Sequence, residues 1–145
     1  MSAIPFTDRE LTRAWRELSA VATPLAGKTR QNPHRLLLFY AVECGLKAVW
    51  LKRQGRTLFD GADINKTGHD LRQVLKELNV GTSLTLPEAF KLPMATQGQT
   101  PLPRNGKFGD LHQAWRYGGK CELPSDQVCE QQLEKVLNWI QRELK

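Results

Sequence analysis

Between residues 36 and 51 the chain reads LLLFYAVECGLKAVWL, sixteen residues with only two charged side chains, Glu43 and Lys47. Polar positions that sparse leave no wide hydrophilic face, so the run predicts a helix enclosed on nearly every side. At helical rise it covers about 24 Å, enough to cross a small domain and short of the roughly twenty apolar residues of a bilayer span. On a 3.6-residue period Leu37, Ala41, Cys44, Ala48 and Leu51 form one apolar stripe and Leu38, Val42, Gly45 and Val49 another; Tyr40, Glu43, Lys47 and Trp50 line a third. Asn32-Pro33 supplies a cap and a first-turn proline, and Gly55 a terminating left-handed residue, so this core helix is predicted over 33–53.

Upstream, Thr7 and Glu10 match a capping box, and Leu11, Trp15, Leu18 and Ala22 recur on one face behind them, predicting a helix over 8–21. Pro24, Gly27 and the polar run 28–31 separate it from the core helix, which it should meet as an antiparallel neighbour. Downstream, a polar loop with Gly61 and Gly68 leads into His69-Asp70-Leu71, where Leu71, Val74, Leu75 and Leu78 predict a third amphipathic helix stopped by Asn79 and Gly81. Leu86-Pro87-Glu88-Ala89-Phe90 reads as a short helical turn. From 93 to 109, three prolines and three glycines interrupt every period, giving a long loop of the kind that is usually functional or mobile. Residues 110–116 predict a short helix broken by Gly118-Gly119, and Pro124-Ser125-Asp126 opens a last helix in which Cys129, Leu133, Val136, Leu137, Ile140 and Leu144 share a face. No segment alternates with period two for long enough to predict a strand. The expected fold class is therefore all-α, an up-and-down helical bundle of four main helices plus one or two short ones, forming a single domain over 1–145.

The length of 145 residues suffices for a real core without a metal or disulfide framework. A net charge of +6 permits an anionic partner without demanding one. The charge is uneven: residues 27–57 hold seven Lys or Arg against Glu43 alone, whereas 125–145 hold four acids against three bases. Cys44, Cys121 and Cys129 are an odd set with no C-x-x-C spacing, which fits reduced thiols in a cytoplasm. The opening MSAIPFTDRE has no basic lead before an apolar run, so no secretory signal is expected, and no membrane span.

Several chemistries are disfavoured by pattern. His34, His69 and His112 are scattered without zinc-like spacing, and there is no phosphate-binding G-x-x-x-x-G-K-[ST], no G-x-G-x-x-G and no G-x-S-x-G elbow. No metal and no cofactor is expected. The positive observation is the Glu43–Lys47 spacing, acid first and four apart, which lets the two pair along the helix. Enclosed, either charge left alone would cost several kcal/mol, so other polar groups must converge on the pair or it must face a wet cleft. It serves either as a specificity device of the core or as part of a ligand site.

The core-helix segment YAVECGLKAVW, the following GHDL and the later WRYGG together resemble the HEPN superfamily of small helical domains, over roughly 33–78 and more loosely over 110–145. That resemblance implies a helical bundle that often dimerises and that occurs in toxin–antitoxin, phage-defence and RNA-processing systems. Catalytic HEPN members carry an arginine and a histidine with four to six residues between them. Here Arg30 precedes His34 with three residues between, Arg104 precedes His112 with seven, and no histidine follows Arg116, so the resemblance implies a non-cleaving member.

Metal-free RNA cleavage needs a base for the 2'-hydroxyl and a stabiliser of the developing charge. His69 and Arg116 are the candidate catalytic combination, although a histidine and an acid such as Asp70 near a helix start also serve as caps. Arg116-Tyr117 either stacks a base and contacts a phosphate, or sends Arg116 inward to complete the Glu43–Lys47 network. The basic set Lys28, Arg30, Arg35, Lys52, Arg53 and Arg56 lies at opposite ends of one helix and reads as surface more than groove, and Trp15, Trp50 and Trp139 read as core. The expectation is a non-catalytic HEPN-like module, a homodimer or a protein's partner, with a polar pocket of Glu43, Lys47, His69, Asp70, Arg116 and Tyr117 for a nucleotide or RNA. A metal-independent endoribonuclease and a pure interaction or dimerisation module are the alternatives.

Overall fold

The computed structural model describes residues 4–24, 28–68 and 70–145. Helix α1 (Asp8–Ala22) starts at the capping box read from the sequence: Thr7 Oγ1 accepts from Glu10 N at 3.1 Å, and Glu10 Oε1 accepts from Thr7 N at 2.9 Å. Helix α2 (Asn32–Gln54) is the enclosed rod, ended by Gly55 at φ 62°. Around it pack α1, α4 (Leu71–Glu77), α5 (Leu111–Arg116) and α6 (Asp126–Glu143). Leu38, Phe39, Ala41, Val42, Leu46, Ala48, Val49, Trp50 and Leu51 of α2 are all buried. Tyr40, Glu43, Cys44 and Lys47 are only half-buried, and they fall at i, i+3, i+4 and i+7, so one stripe of the rod stays partly open.

Gly45 sits where three helices meet. A Cβ there would lie 2.7 Å from Ile140 Cγ2 and 2.8 Å from Trp15 Cδ1, so its missing side chain lets α1 and α6 close on α2. Among the described residues no helix is long and apolar enough to cross a membrane.

The expected all-α bundle is corrected by two antiparallel two-stranded sheets. The smaller pairs β1 (Phe6–Thr7) with β2 (Leu58–Phe59) and ties the start of α1 to the end of α2. The larger is a hairpin, β3 (Ala89–Gln97) with β4 (Thr100–Lys107), occupying the stretch expected as a short helical turn at 86–90 and a loop at 93–109. Its prolines misled the reading because proline is excluded from the middle of sheets. In a two-stranded ribbon each strand is an edge, so Pro101 and Pro103 can turn their missing N–H outward, and Pro93 falls at the register shift between Leu92 and Ala95. Gly98-Gln99 make the two-residue turn, with Gly98 at φ 65° in the first central position, where a type II' turn takes glycine. The base of the hairpin is fastened to the body: Lys91 N donates to Leu123 O at 2.9 Å, and Phe108 N to Glu88 O at 3.1 Å.

A short helix α3 (Gly61–Thr67) also replaces the expected polar loop. Asp60 accepts from Ala62 N and Asp63 N, and Asp63 returns the bond to Asp60 N at 2.9 Å. This is a capping arrangement whose signal, two aspartates three apart, was legible, but only Ile64 gave it an apolar period.

Candidate functional site

The polar stripe of α2 is enclosed and satisfied. Lys47 Nζ donates to Glu43 Oε2 at 3.1 Å, with the two side chains 14% and 13% exposed, and the ammonium also lies 5.2 Å from the centroid of the Phe59 ring. Beside the pair, burial and then the Glu43 carboxylate push the Cys44 thiol up to about 11. One turn earlier Tyr40 continues the stripe, its ring 6.1 Å from that of His112 on α5, which in turn packs 5.3 Å from Phe39.

The other residues expected in one pocket are distributed. Arg116, at the end of α5, donates from its guanidinium to the Tyr40 hydroxyl. The Tyr40 hydroxyl, and after it that of Tyr117, hold the Arg116 pKa above the ordinary arginine value. Asp70 caps α4, accepting from Arg72 N at 3.0 Å and Gln73 N at 3.4 Å. His69 lies outside the described residues. Tyr117 turns away from the core and is 78% exposed. The structure thus joins Glu43 to Lys47 and Tyr40 to Arg116 on one face, with the Tyr117 hydroxyl beside Arg116, and turns the Asp70 carboxylate to its own helix cap.

Tyr117 stands on the rim of a cleft of about 310 Å³ between the hairpin and α5. Phe90, Leu92 and Ala114 give it an apolar floor, and Arg104, Asn105, Asp110, Gln113 and Tyr117 a polar rim. Two glycines permit this shape. At Gly106 a Cβ would strike the Phe90 ring at 2.7 Å, and at Gly119 it would meet Ala114 O at 2.8 Å. The rim is braced from behind: Asn32 Nδ2 donates to Gly119 O at 2.9 Å, while the buried Asp126 accepts from Trp115 Nε1 at 2.8 Å and Cys121 N at 3.0 Å. Sequence reasoning named Tyr117 and missed Arg104, Asp110 and Gln113 as site residues, since without the hairpin nothing placed them side by side.

A larger hollow of about 480 Å³ lies between α4 and residues 79–86. Its polar groups are mostly engaged: Asp70 in its cap, Arg72 with Glu88 at 3.6 Å, Gln73 with Glu77 at 3.0 Å. Glu43 and Lys47 line neither space.

Five of the six residues of the basic set at the two ends of α2 are engaged in intramolecular bonds. Arg30 reaches Glu134 and Glu130, Arg35 donates to Glu130 Oε2 at 3.0 Å, Lys52 to Glu143 O at 2.6 Å, Arg53 to Leu78 O, and Arg56 to both oxygens of Asp63. Cys44, Cys121 and Cys129 are free thiols, and among the described residues no three His, Cys, Asp or Glu converge as metal ligands. Compared with protein-family models, with curated proteins and with solved structures, the chain gives no match.

Proposed function

We propose that the chain is a non-catalytic, HEPN-like recognition module that binds a nucleotide or a short stretch of single-stranded RNA in a reducing, cytoplasmic setting. One observation carries this reading: Arg116 is anchored on the core helix at Tyr40, and the next residue, Tyr117, stands exposed on the rim of a cleft that Arg104 also lines. An aromatic face beside guanidinium groups suits a base stacked against the ring and a phosphate near the cations. Self-association belongs to the same proposal, and the exposed apolar residues Ile4, Phe6 and Leu58 beside β1 and β2 are its candidate surface.

Fluorescence anisotropy of a labelled single-stranded RNA measures the binding directly. Tyr117→Ala is expected to weaken it about tenfold, the worth of one base stacked on an aromatic ring, with the melting temperature unchanged. Absence of binding by the parent protein at low salt, or an unaltered affinity in the variant, refutes the assignment.

A further inference from the structure

We propose that the cleft between β3–β4 and α5 receives a guanine base, gripped at its edge by Arg104 and Asp110 and covered by Tyr117. The proposal rests on the nucleotide- or RNA-binding reading and adds the identity of the base.

Arg104 is aimed by the neighbouring strand: its Nε donates to Pro93 O of β3 at 2.9 Å, which leaves the two terminal nitrogens without a protein partner among the described residues. Asp110, on the α5 side of the same cleft, makes no side-chain capping bond, and its carboxylate joins no ion pair among the described residues. The two charges line one cleft and are not within 4.0 Å of each other. Arg104 and Asp110 are exposed, opposite charges on the rim of one cleft with an apolar floor, so an occupant that meets both presents acceptors to one and donors to the other.

Guanine does this on one molecule: O6 and N7 accept from a guanidinium, and N1–H with the 2-amino group donates to a carboxylate. Adenine offers its 6-amino donor between acceptors and cannot give a carboxylate two bonds. The pyrimidines lack N7. A volume of about 310 Å³ is at the small end of ligand pockets, enough for a base with its sugar and phosphate left outside. Phe90, Leu92 and Ala114 meet the flat ring from below, and Tyr117 is free to close on it from above. A zwitterionic amino acid would meet both charges too, but it gives Tyr117 no ring to cover.

The test is equilibrium titration of the full chain with GMP, IMP, AMP, CMP and UMP at low salt, with glycine as the zwitterion. GMP is expected to bind at least about tenfold more tightly than AMP, CMP and UMP, and IMP more weakly than GMP because it lacks the 2-amino donor. Asp110→Asn is expected to bring GMP down to the affinity of AMP while AMP itself is unaffected, and Arg104→Gln to weaken GMP about tenfold. Both replacements lie on the rim, so unchanged melting curves are expected. If all five nucleotides bind alike, or glycine outcompetes GMP, the guanine assignment is overturned; in the first case the nucleotide-binding reading stands. If neither nucleotides nor single-stranded RNA bind, both fall.

Discussion

Three buried or half-buried acids show how one side chain's setting determines its chemistry. Asp63 receives both terminal nitrogens of Arg56, at 2.7 and 2.6 Å, along with Trp50 Nε1 at 3.2 Å and Asp60 N at 2.9 Å. The Arg56 bonds, more than any other contact, hold its carboxyl far below the usual carboxylate range. A folded-state value below the unfolded one means stability that is complete above about pH 4 and is lost as the pH falls toward the depressed value. Asp63→Asn should therefore cost roughly 2–3 kcal/mol at neutral pH, discounted for the half-exposed arginine, and flatten the acid limb of a plot of Tm against pH. The Cys44 thiol, raised to about 11 by burial and Glu43, stays protonated through the neutral range. Its alkylation in the folded protein is expected to be slower than an ordinary thiol's at pH 7 and to keep rising about tenfold per pH unit up to pH 9, read by mass spectrometry of the labelled peptide, whereas an ordinary thiol levels off as it nears its own pKa of about 8.5. Glu43 and Lys47 were legible as a pair because four residues of helix place them together whatever the rest of the chain does. The partners of Asp63 and Asp126 were not, since Trp50, Trp115 and Cys121 reach them across turns between elements, where no helical period fixes the spacing.

Among the elements, the helices declared themselves and the hairpin did not. Helices α1, α2, α4 and α6 carry their caps and apolar faces within a few turns, so local spacing was enough to place them. Strands β3 and β4 carry three prolines, an irregular register and a mostly solvent-facing surface, so no period-two alternation survives to be read. Since most of the ribbon stands clear of the core, replacing 93–103 by Asn-Gly, which joins the Leu92 and Arg104 pair through a two-residue turn, should leave the helical circular dichroism intact and shift the Tm by only a few degrees. Nucleotide binding should weaken in that variant, as the cleft loses part of one wall. Gly45→Val tests the opposite kind of position: overpacking the junction of α1, α2 and α6 is expected to lower stability by about 2–3 kcal/mol in urea unfolding without altering the hairpin cleft.

At the scale of the whole molecule the net charge of +6 does not gather into a free basic patch at the ends of α2. Arg30, Arg35, Arg53 and Arg56 are joined to carboxylates, and Lys52 and Arg53 also reach main-chain carbonyls. A nucleic acid bound at the hairpin cleft meets Arg104 and Arg116 instead of a basic face. The slope of log K against log salt for a single-stranded ligand should then be shallow, about −0.7 for the one phosphate contact that Arg116 offers while Arg104 holds the base edge; a slope several times steeper would place the RNA on some broader surface.

The sequence by itself determined the core rod, its caps, the helices packed against it and the enclosed Glu43–Lys47 pair, because each depends on spacing within a few turns of helix. Tertiary structure alone decided that residues 89–107 form a ribbon, that Arg116 meets Tyr40, and that Arg104, Asp110 and Tyr117 border one cleft. Those are contacts across strands or between segments far apart in the chain, and proline-broken stretches carry no local period that could announce them.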